Sequence, residues 1–157
     1  MTITREHIIQ SNLIEGVKDL NELPKSMKAW EYLTLTDKII TQTILDTHYL
    51  IMQELLPVEH IGTFRIRDVF VGDYKAPGAY LVPHLMQNWI SDMNYYQDLD
   101  PKIKHVDFER IHPFIDGNGR VGRMLFWWHE MKLGLKPTLI TYNKRNDYYN
   151  WFKTEYK

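Results

Sequence analysis

The chain has 157 residues, and its 19 basic and 20 acidic side chains leave a formal net charge of −1 at neutral pH. Hydrophobic residues make up 44% of it, which is too large a share, with too little net charge, for a disordered chain. It has no cysteine, so disulfides, thiolate metal sites and a cysteine nucleophile are excluded. At this length we expect a single domain, residues 1–157.

Charge and apolar runs also limit the partners. The balanced charge argues against a broad face for nucleic acid or membrane. No apolar run approaches the roughly 18 residues of a membrane-spanning helix, and the amino terminus lacks the apolar core of a signal peptide. We therefore expect a cytoplasmic protein that binds neither nucleic acid nor membranes.

The first third of the chain predicts two helices. Apolar residues recur at helical spacing in residues 4–15, and Gly16 follows as a stop signal. A short break is expected around Leu23–Pro24–Lys25. From Asp37 to Leu56 apolar side chains again share one helical face, and Pro57 should end this helix.

Residues 62–72 change period and predict one small β-hairpin. Glycines stand at both ends of this stretch. Within it, apolar and basic side chains alternate at Phe64, Arg65, Ile66 and Arg67.

The remaining predicted elements are helices. Pro83 suits the first position of one helix, and others are expected from Pro101 to about Ile111 and from about Asn118 to Leu133. Gly134 is a suitable C-cap, and a last helix is expected from Asn146 to the end of the chain. Helices with one hairpin predict a mainly α domain.

The densest chemical signal is HPFIDGNGRVGR, residues 112–123. Pro113 disfavours helical geometry at His112, so the preceding helix should end there and present the imidazole. Asp116 precedes Gly117–Asn118–Gly119, which can turn backbone N–H groups inward at the start of the next helix.

Two arginines complete this segment. Arg120 and Arg123 share one face of the helix's first turn, next to its positive dipole end. Together with Asp116 and His112 they would suit a polyphosphate with Mg²⁺, whose octahedron phosphate oxygens can complete.

Other patterns carry less chemistry. GNGRVG fits G-x-G-x-x-G, but no strand leads into it, so a dinucleotide-binding turn is rejected. His105 shares a helical face with His112 and is expected to pack in the core or support that helix. Gly122 within a helix costs roughly 0.5–1 kcal/mol relative to alanine, and the sequence offers no reason for it.

The segment resembles the active-site motif H-P-F-x-[DE]-G-N-G-R-x-x-R of the Fic (filamentation induced by cAMP) family, and it matches every specified position. Residues 62–72 are similar to that family's flap hairpin, and residues 145–149 to its R-x-x-Y-Y segment. Residues 11–16, SNLIEG, match its inhibitory pattern [S/T]-x-x-x-E-[G/N]. The resemblance implies a helical core that transfers AMP from ATP to a Ser, Thr or Tyr hydroxyl of a target protein.

The resemblance also implies a role for each motif residue. His112 would be the general base, and Asp116 would hold Mg²⁺. Gly117, Asn118 and Gly119 would cradle the phosphates through backbone N–H groups and the Asn118 amide.

Further residues would follow the same family pattern. Arg120 would stabilise the pyrophosphate, and Arg123 would bind the γ-phosphate. Tyr148 and Tyr149 would lie near the adenine, and Phe64, Arg65, Ile66 and Arg67 of the flap would dock the target.

By the same resemblance the first helix, about residues 4–16, would inhibit the enzyme. Ser11 and Glu15 are four residues apart and so share a helical face. Glu15 would pair with Arg123 and deny the γ-phosphate its partner.

Two alternatives stay open. The same site could remove AMP from a modified protein, with Glu15 orienting a water, or the domain could sense nucleotides with little turnover. The expected partners are ATP and a target protein. The sequence leaves open whether the chain also modifies itself and whether it forms a homo-oligomer.

Overall fold

The computed structural model describes residues 2–96 and 98–154. Within them the chain forms seven α-helices and one antiparallel hairpin, which confirms the mainly α prediction with a small hairpin. The predicted last helix begins at Arg145, and its expected final residues, 155–157, lie outside the described part. The helices are α1 (Arg5–Ile14), α2 (Glu22–Thr34), α3 (Thr41–Met52), α4 (Val82–Tyr95), α5 (Pro101–Ile111), α6 (Asn118–Lys132) and α7 (Arg145–Thr154); the strands are β1 (Phe70–Val71) and β2 (Tyr74–Lys75).

The predicted break at Leu23–Pro24–Lys25 is wrong, because α2 runs through it. Pro24 is the third residue of this helix. Its missing N–H is one of the first four, which have no acceptor within a helix, so proline is tolerated there. The apolar side of α2, including Trp30 and Leu33, is buried in the core.

The second predicted helix is shorter than expected. α3 begins at Thr41 rather than Asp37 and ends at Met52, ahead of Pro57. Gln53 leaves helical geometry with ψ 133°, and its carbonyl oxygen accepts a hydrogen bond from Lys25 Nζ at 2.6 Å. This contact with α2 is tertiary, so periodicity could not reveal it.

The hairpin lies further along the chain than predicted. Its paired residues are 70–71 and 74–75, and Gly72 turns between them with φ 60°. The predicted pairing across residues 62–72 is therefore wrong. The Arg65 side chain points into the protein instead of alternating outward, and it is 3% exposed.

The core is built around α6, whose residues are buried on almost every side. Trp127, at its centre, is 1% exposed and contacts Trp30 and His7 through their ring edges. A helix buried all round is fixed by its neighbours. Its first turn, which carries the end of the HPFIDGNGRVGR segment, is therefore packed into the core.

No helix in residues 2–96 and 98–154 is long and apolar enough to cross a bilayer.

Candidate active site

His112 ends α5 in a left-handed conformation, with φ 52° and ψ 62°. Its Nδ1 lies 3.3 Å from the Glu109 carbonyl oxygen. A carbonyl can only accept, so Nδ1 carries the proton and Nε2 keeps its lone pair. Burial lowers the pKa of His112, so the imidazole is neutral at pH 7. This side chain can therefore accept a proton at Nε2.

Asn118 holds the loop that follows His112. Its Oδ1 accepts from the Phe114 N–H at 2.9 Å, and its Nδ2 donates to the Phe114 carbonyl at 2.8 Å. Both ends of the Asn118 amide thus brace the loop, but Nδ2 carries a second N–H, so the contact of the amide with phosphate stays a prediction. Gly117, with φ 88°, turns the chain into α6, and a Cβ there would lie 2.8 Å from Met52 Sδ.

His48 on α3 is a further site residue, which the sequence did not indicate. Its Nδ1 accepts from the Gly62 N–H at 2.9 Å, so its Nε2 carries the proton and donates to the Asp116 carbonyl at 2.9 Å. Its ring stacks on Phe114 with centroids 3.9 Å apart. His48 shows no motif spacing, since its partners lie 14 and 68 residues away along the chain.

Arg120 and Asp116 face each other at the start of α6. Arg120 Nη2 lies 3.7 Å from Asp116 Oδ1, and the carboxylate side chain is 61% exposed. Arg120 Nε is buried without a hydrogen-bond partner among the described residues. Buried donors normally have a hydrogen-bond acceptor, and the oxygen of an anion bound in the loop could be the acceptor for Arg120 Nε.

The described residues offer no cluster of three or more metal-binding side chains. Asp116 would therefore be a single carboxylate ligand. This fits Mg²⁺, which is commonly held by one or two carboxylates together with substrate phosphates and water.

Arg123 is the most extensively bonded side chain of the site, and it is 1% exposed. Its Nη2 donates to Glu15 Oε1 at 2.6 Å and to the Ser11 carbonyl at 3.1 Å. Its Nε donates to Ser11 Oγ at 2.7 Å. The structure thus brings the predicted inhibitory pair, Ser11 and Glu15, onto the guanidinium that the sequence assigned to them.

Tyr148 contacts the same guanidinium from α7. Its hydroxyl lies 3.2 Å from Arg123 Nη1 and 2.7 Å from His105 Nε2, and the residue is 4% exposed. The hydroxyl is therefore taken up by protein groups, and the adenine-side role of Tyr148 stays a prediction. Tyr149 is 40% exposed and faces a cleft, so its adenine-side role stays a prediction.

A cleft of about 400 Å³ brings Glu15, His112 and Arg123 together, whereas Asp116 and Arg120 are not among its lining residues. Glu15 closes one side of it and approaches α6 so closely that a Cβ on Gly119 would overlap its carboxylate. Residues of α1, the hairpin, α5, α6 and α7 line the cleft. The lining residues are Ile14, Glu15, Val71, Tyr74, Glu109, Arg110, His112, Gly119, Arg123, Tyr148, Tyr149 and Phe152.

Of the four residues predicted to dock a target, Ile66 and Arg67 are exposed and Phe64 is half-buried against Phe114. Arg65 cannot dock a target through its side chain. Its guanidinium donates to the carbonyl groups of His112, Arg67, Pro77 and Ile111.

Known proteins resemble this chain in sequence and in fold. Residues 34–129 match the Fic/DOC family, which is well over half of the chain; α1 and α7 lie outside the match. The chain is 32% identical over 149 residues to the protein adenylyltransferase Fic of Drosophila willistoni and 34% identical over 149 residues to that of Drosophila yakuba. Each comparison covers 88% of this chain and 30% of the relative, so the chain spans less than a third of their length.

Solved structures share the fold. A Fic-domain signalling protein of Bacteroides thetaiotaomicron matches 93% of this chain and 69% of its own, with a TM-score of 0.80 at 20% identity. A Fic family protein of Desulfovibrio desulfuricans matches 82% of this chain and 47% of its own, with a TM-score of 0.63 at 26% identity. The motif, the family match and the fold agree, and the chain belongs to the Fic/DOC family.

Proposed function

We propose that this domain is a protein adenylyltransferase, which transfers AMP from ATP to a Ser, Thr or Tyr hydroxyl of a target protein. The observation that carries the proposal is the neutral His112, which lines the same cleft as Arg123 and whose Nδ1–H bonds the Glu109 carbonyl. The names of the Drosophila relatives support the same activity.

His112 acts as the general base. Its Nε2 takes the proton of the target hydroxyl while the hydroxyl oxygen bonds to the α-phosphorus of ATP. The bond from that phosphorus to the bridging oxygen breaks, and pyrophosphate leaves with the bonding electrons. The Glu109 carbonyl, which accepts from Nδ1, stabilises the imidazolium that results.

The start of α6 holds the phosphates. Its first N–H groups, at Asn118, Gly119 and Arg120, have no acceptor within the helix and point along its positive dipole end. Arg120 neutralises the charge that develops on pyrophosphate, and Arg123 binds the γ-phosphate.

Asp116 holds Mg²⁺ in this proposal. The bound ion would neutralise charge on the phosphates. The Asp116 carboxylate is exposed, so phosphate oxygens could bind the same ion.

Glu15 inhibits this reaction in the resting protein. Its ion pair with Arg123, at 2.6 Å, occupies the guanidinium that the γ-phosphate needs. ATP would then bind without its triphosphate in line for transfer. Removal of the carboxylate frees Arg123 without touching the base.

The first test uses Glu15→Gly and His112→Ala with α-labelled ATP and Mg²⁺. Glu15→Gly should raise label transfer to itself or to added protein at least tenfold over wild type. His112→Ala in that background should lower it by about 10²-fold or more, because general base catalysis contributes about 10²–10⁴-fold. Glu6→Gln, on the exposed side of α1, is the matched control and should change nothing.

Two results would contradict the proposal. If Glu15→Gly transfers no more label than wild type, Glu15 does not inhibit. If His112→Ala keeps full transfer, His112 is not the base.

A second candidate is removal of AMP from a modified protein. Glu15 favours it, because its carboxylate is 34% exposed and borders the cleft, where it could orient an attacking water. AMP-modified product from Glu15→Gly, incubated with the wild-type protein, tests this directly. Release of AMP by wild type but not by Glu15→Gly would establish it.

A further inference from the structure

The partners of Arg123 come from two different parts of the fold. Ser11 and Glu15, at the end of α1, bind Nε and Nη2. Tyr148, on α7, binds Nη1. If Glu15 leaves, as the proposed function requires, Nη2 loses its carboxylate partner. The contact from α7 then remains to orient the guanidinium.

The direction of each hydrogen bond on the α7 side follows from chemistry. His105 Nδ1 lies 3.1 Å from the Gly122 carbonyl oxygen, which can only accept, so Nδ1 carries the proton. His105 Nε2 must therefore accept from the Tyr148 hydroxyl at 2.7 Å. The hydroxyl oxygen is left to accept from Arg123 Nη1 at 3.2 Å. The chain of donors runs from Arg123 through Tyr148 to His105.

Burial keeps the hydrogen bonds from Arg123 through Tyr148 to His105 in one arrangement. His105 is 2% exposed, and burial lowers its pKa to about 3, so it stays neutral and able to accept at physiological pH. Its ring packs among the aromatic side chains of Phe126, Tyr148 and Trp151. A neutral, packed imidazole leaves the Tyr148 hydroxyl little freedom to rotate.

Gly122 makes the arrangement possible. A Cβ at this position would lie 3.1 Å from the His105 ring and would overlap the Glu109 carboxyl group. The missing side chain therefore lets α5 approach α6 closely enough for His105 to reach the Gly122 carbonyl. This accounts for a glycine that the sequence left unexplained.

We infer that Tyr148 and His105 are positioning residues, which hold the Arg123 guanidinium ready for the γ-phosphate once Glu15 has withdrawn. The inference rests on the proposed function of Arg123. Neither residue contacts the reacting atoms. Their effect is on the orientation of Arg123, and so on nucleotides that carry a γ-phosphate.

The test compares ATP with ADP binding, by calorimetry with Mg²⁺, in wild type and in Glu15→Gly. Tyr148→Phe removes only the hydroxyl. In the Glu15→Gly background it should weaken ATP binding about tenfold and leave ADP binding unchanged, because ADP has no γ-phosphate. In wild type, where Glu15 occupies Arg123 and keeps it from the γ-phosphate, it should change neither.

Two further variants sharpen the result. His105→Phe keeps an aromatic ring but loses both hydrogen bonds, and it should mimic Tyr148→Phe without adding to it in the double variant. Tyr32→Phe is the matched control, because it removes a tyrosine hydroxyl that bonds Asp46 away from the cleft. It should alter neither nucleotide's affinity.

Kinetics supply a second readout wherever label transfer is measurable. The contact with the γ-phosphate exists in both the ground and transition states, so Tyr148→Phe should raise KM for ATP with little change in kcat. Equal weakening of ATP and ADP, or the same loss in wild type as in Glu15→Gly, would overturn the inference and indicate a merely structural role. Absence of AMP transfer would contradict the proposed function alone, since the nucleotide comparison still reports on Arg123.

Discussion

Glu109 is a buried carboxyl group beside the site, and its Oε1 has no hydrogen-bond partner among the described residues. His105 Nε2, at 4.0 Å, is too far away to bond it. Burial raises the pKa of Glu109 to about 8, so the group is mostly protonated at neutral pH. It therefore adds little charge next to Arg123 while the protein is folded.

This predicts a specific pH dependence at the residue scale. The folded pKa of about 8 lies above the ordinary 4.5, so the folded state keeps a proton that the unfolded state releases. The contribution of Glu109 to the free energy of unfolding should therefore fall as pH rises from 4.5 to about 8. Glu109→Gln cannot titrate. Between pH 5 and pH 7 it should therefore lose about 2–3 kcal/mol less unfolding free energy than wild type does.

Urea unfolding at pH 5, 6 and 7 measures this difference. Glu31→Gln, an exposed glutamate on α2, is the control and should follow wild type at every pH. Identical pH slopes for wild type and Glu109→Gln would show that Glu109 is ionised in the folded protein.

At the scale of elements, the segment before the hairpin is held by Arg65. The Arg65 N–H donates to the Pro113 carbonyl at 2.9 Å, and its Nε donates to the His112 carbonyl at 2.7 Å. The hairpin itself is tied to α5, because the Tyr74 hydroxyl donates to the Arg110 carbonyl at 3.1 Å. Flap and active-site loop are therefore one connected unit.

Arg65→Leu should break that unit. Without the guanidinium, carbonyl groups of the active-site loop have no donor. We expect this to lower the free energy of unfolding by about 2–4 kcal/mol. Arg67→Leu, two residues on and exposed, should cost less than about 0.5 kcal/mol. Urea unfolding of both variants decides the matter, and equal losses would refute a structural role for Arg65.

At the scale of the whole molecule, three buried histidines resist protonation. Burial lowers the pKa of His48 and His129 to about 4 and that of His105 to about 3. Below the ordinary value of 6.5 the unfolded chain takes up protons that the folded chain does not. Stability gained from these neutral histidines is present above pH 6.5 and is lost as pH falls towards 4.

The histidines and Glu109 together predict a stability maximum near pH 6.5. Below it the neutral histidines outweigh the carboxyl groups whose pKa burial raises, and above it those carboxyl groups, Glu109 among them, set the slope. The melting temperature, recorded from pH 4.5 to 8.5 at constant ionic strength, should fall on both sides of this maximum. Glu109→Gln should flatten the alkaline side and steepen the acid side, and a melting temperature that rises through pH 8 would contradict the prediction.

The sequence by itself determined the active-site loop and the family. His112, Asp116 and the two arginines lie within twelve consecutive residues. Their geometry follows from local rules, namely a proline after the helix end and glycines before the next helix. The pairing of Glu15 with Arg123 was also predicted, though only through the family pattern.

Only the tertiary structure decided what supports that loop. His48 and Asp116 are 68 residues apart, Arg65 and His112 are 47 apart, and His105 and Tyr148 are 43 apart. No periodicity or spacing rule connects residues at such separations, because helix packing sets their distance. For the same reason the contact of Tyr148 with Arg123, 25 residues away along the chain, is seen only in the tertiary structure.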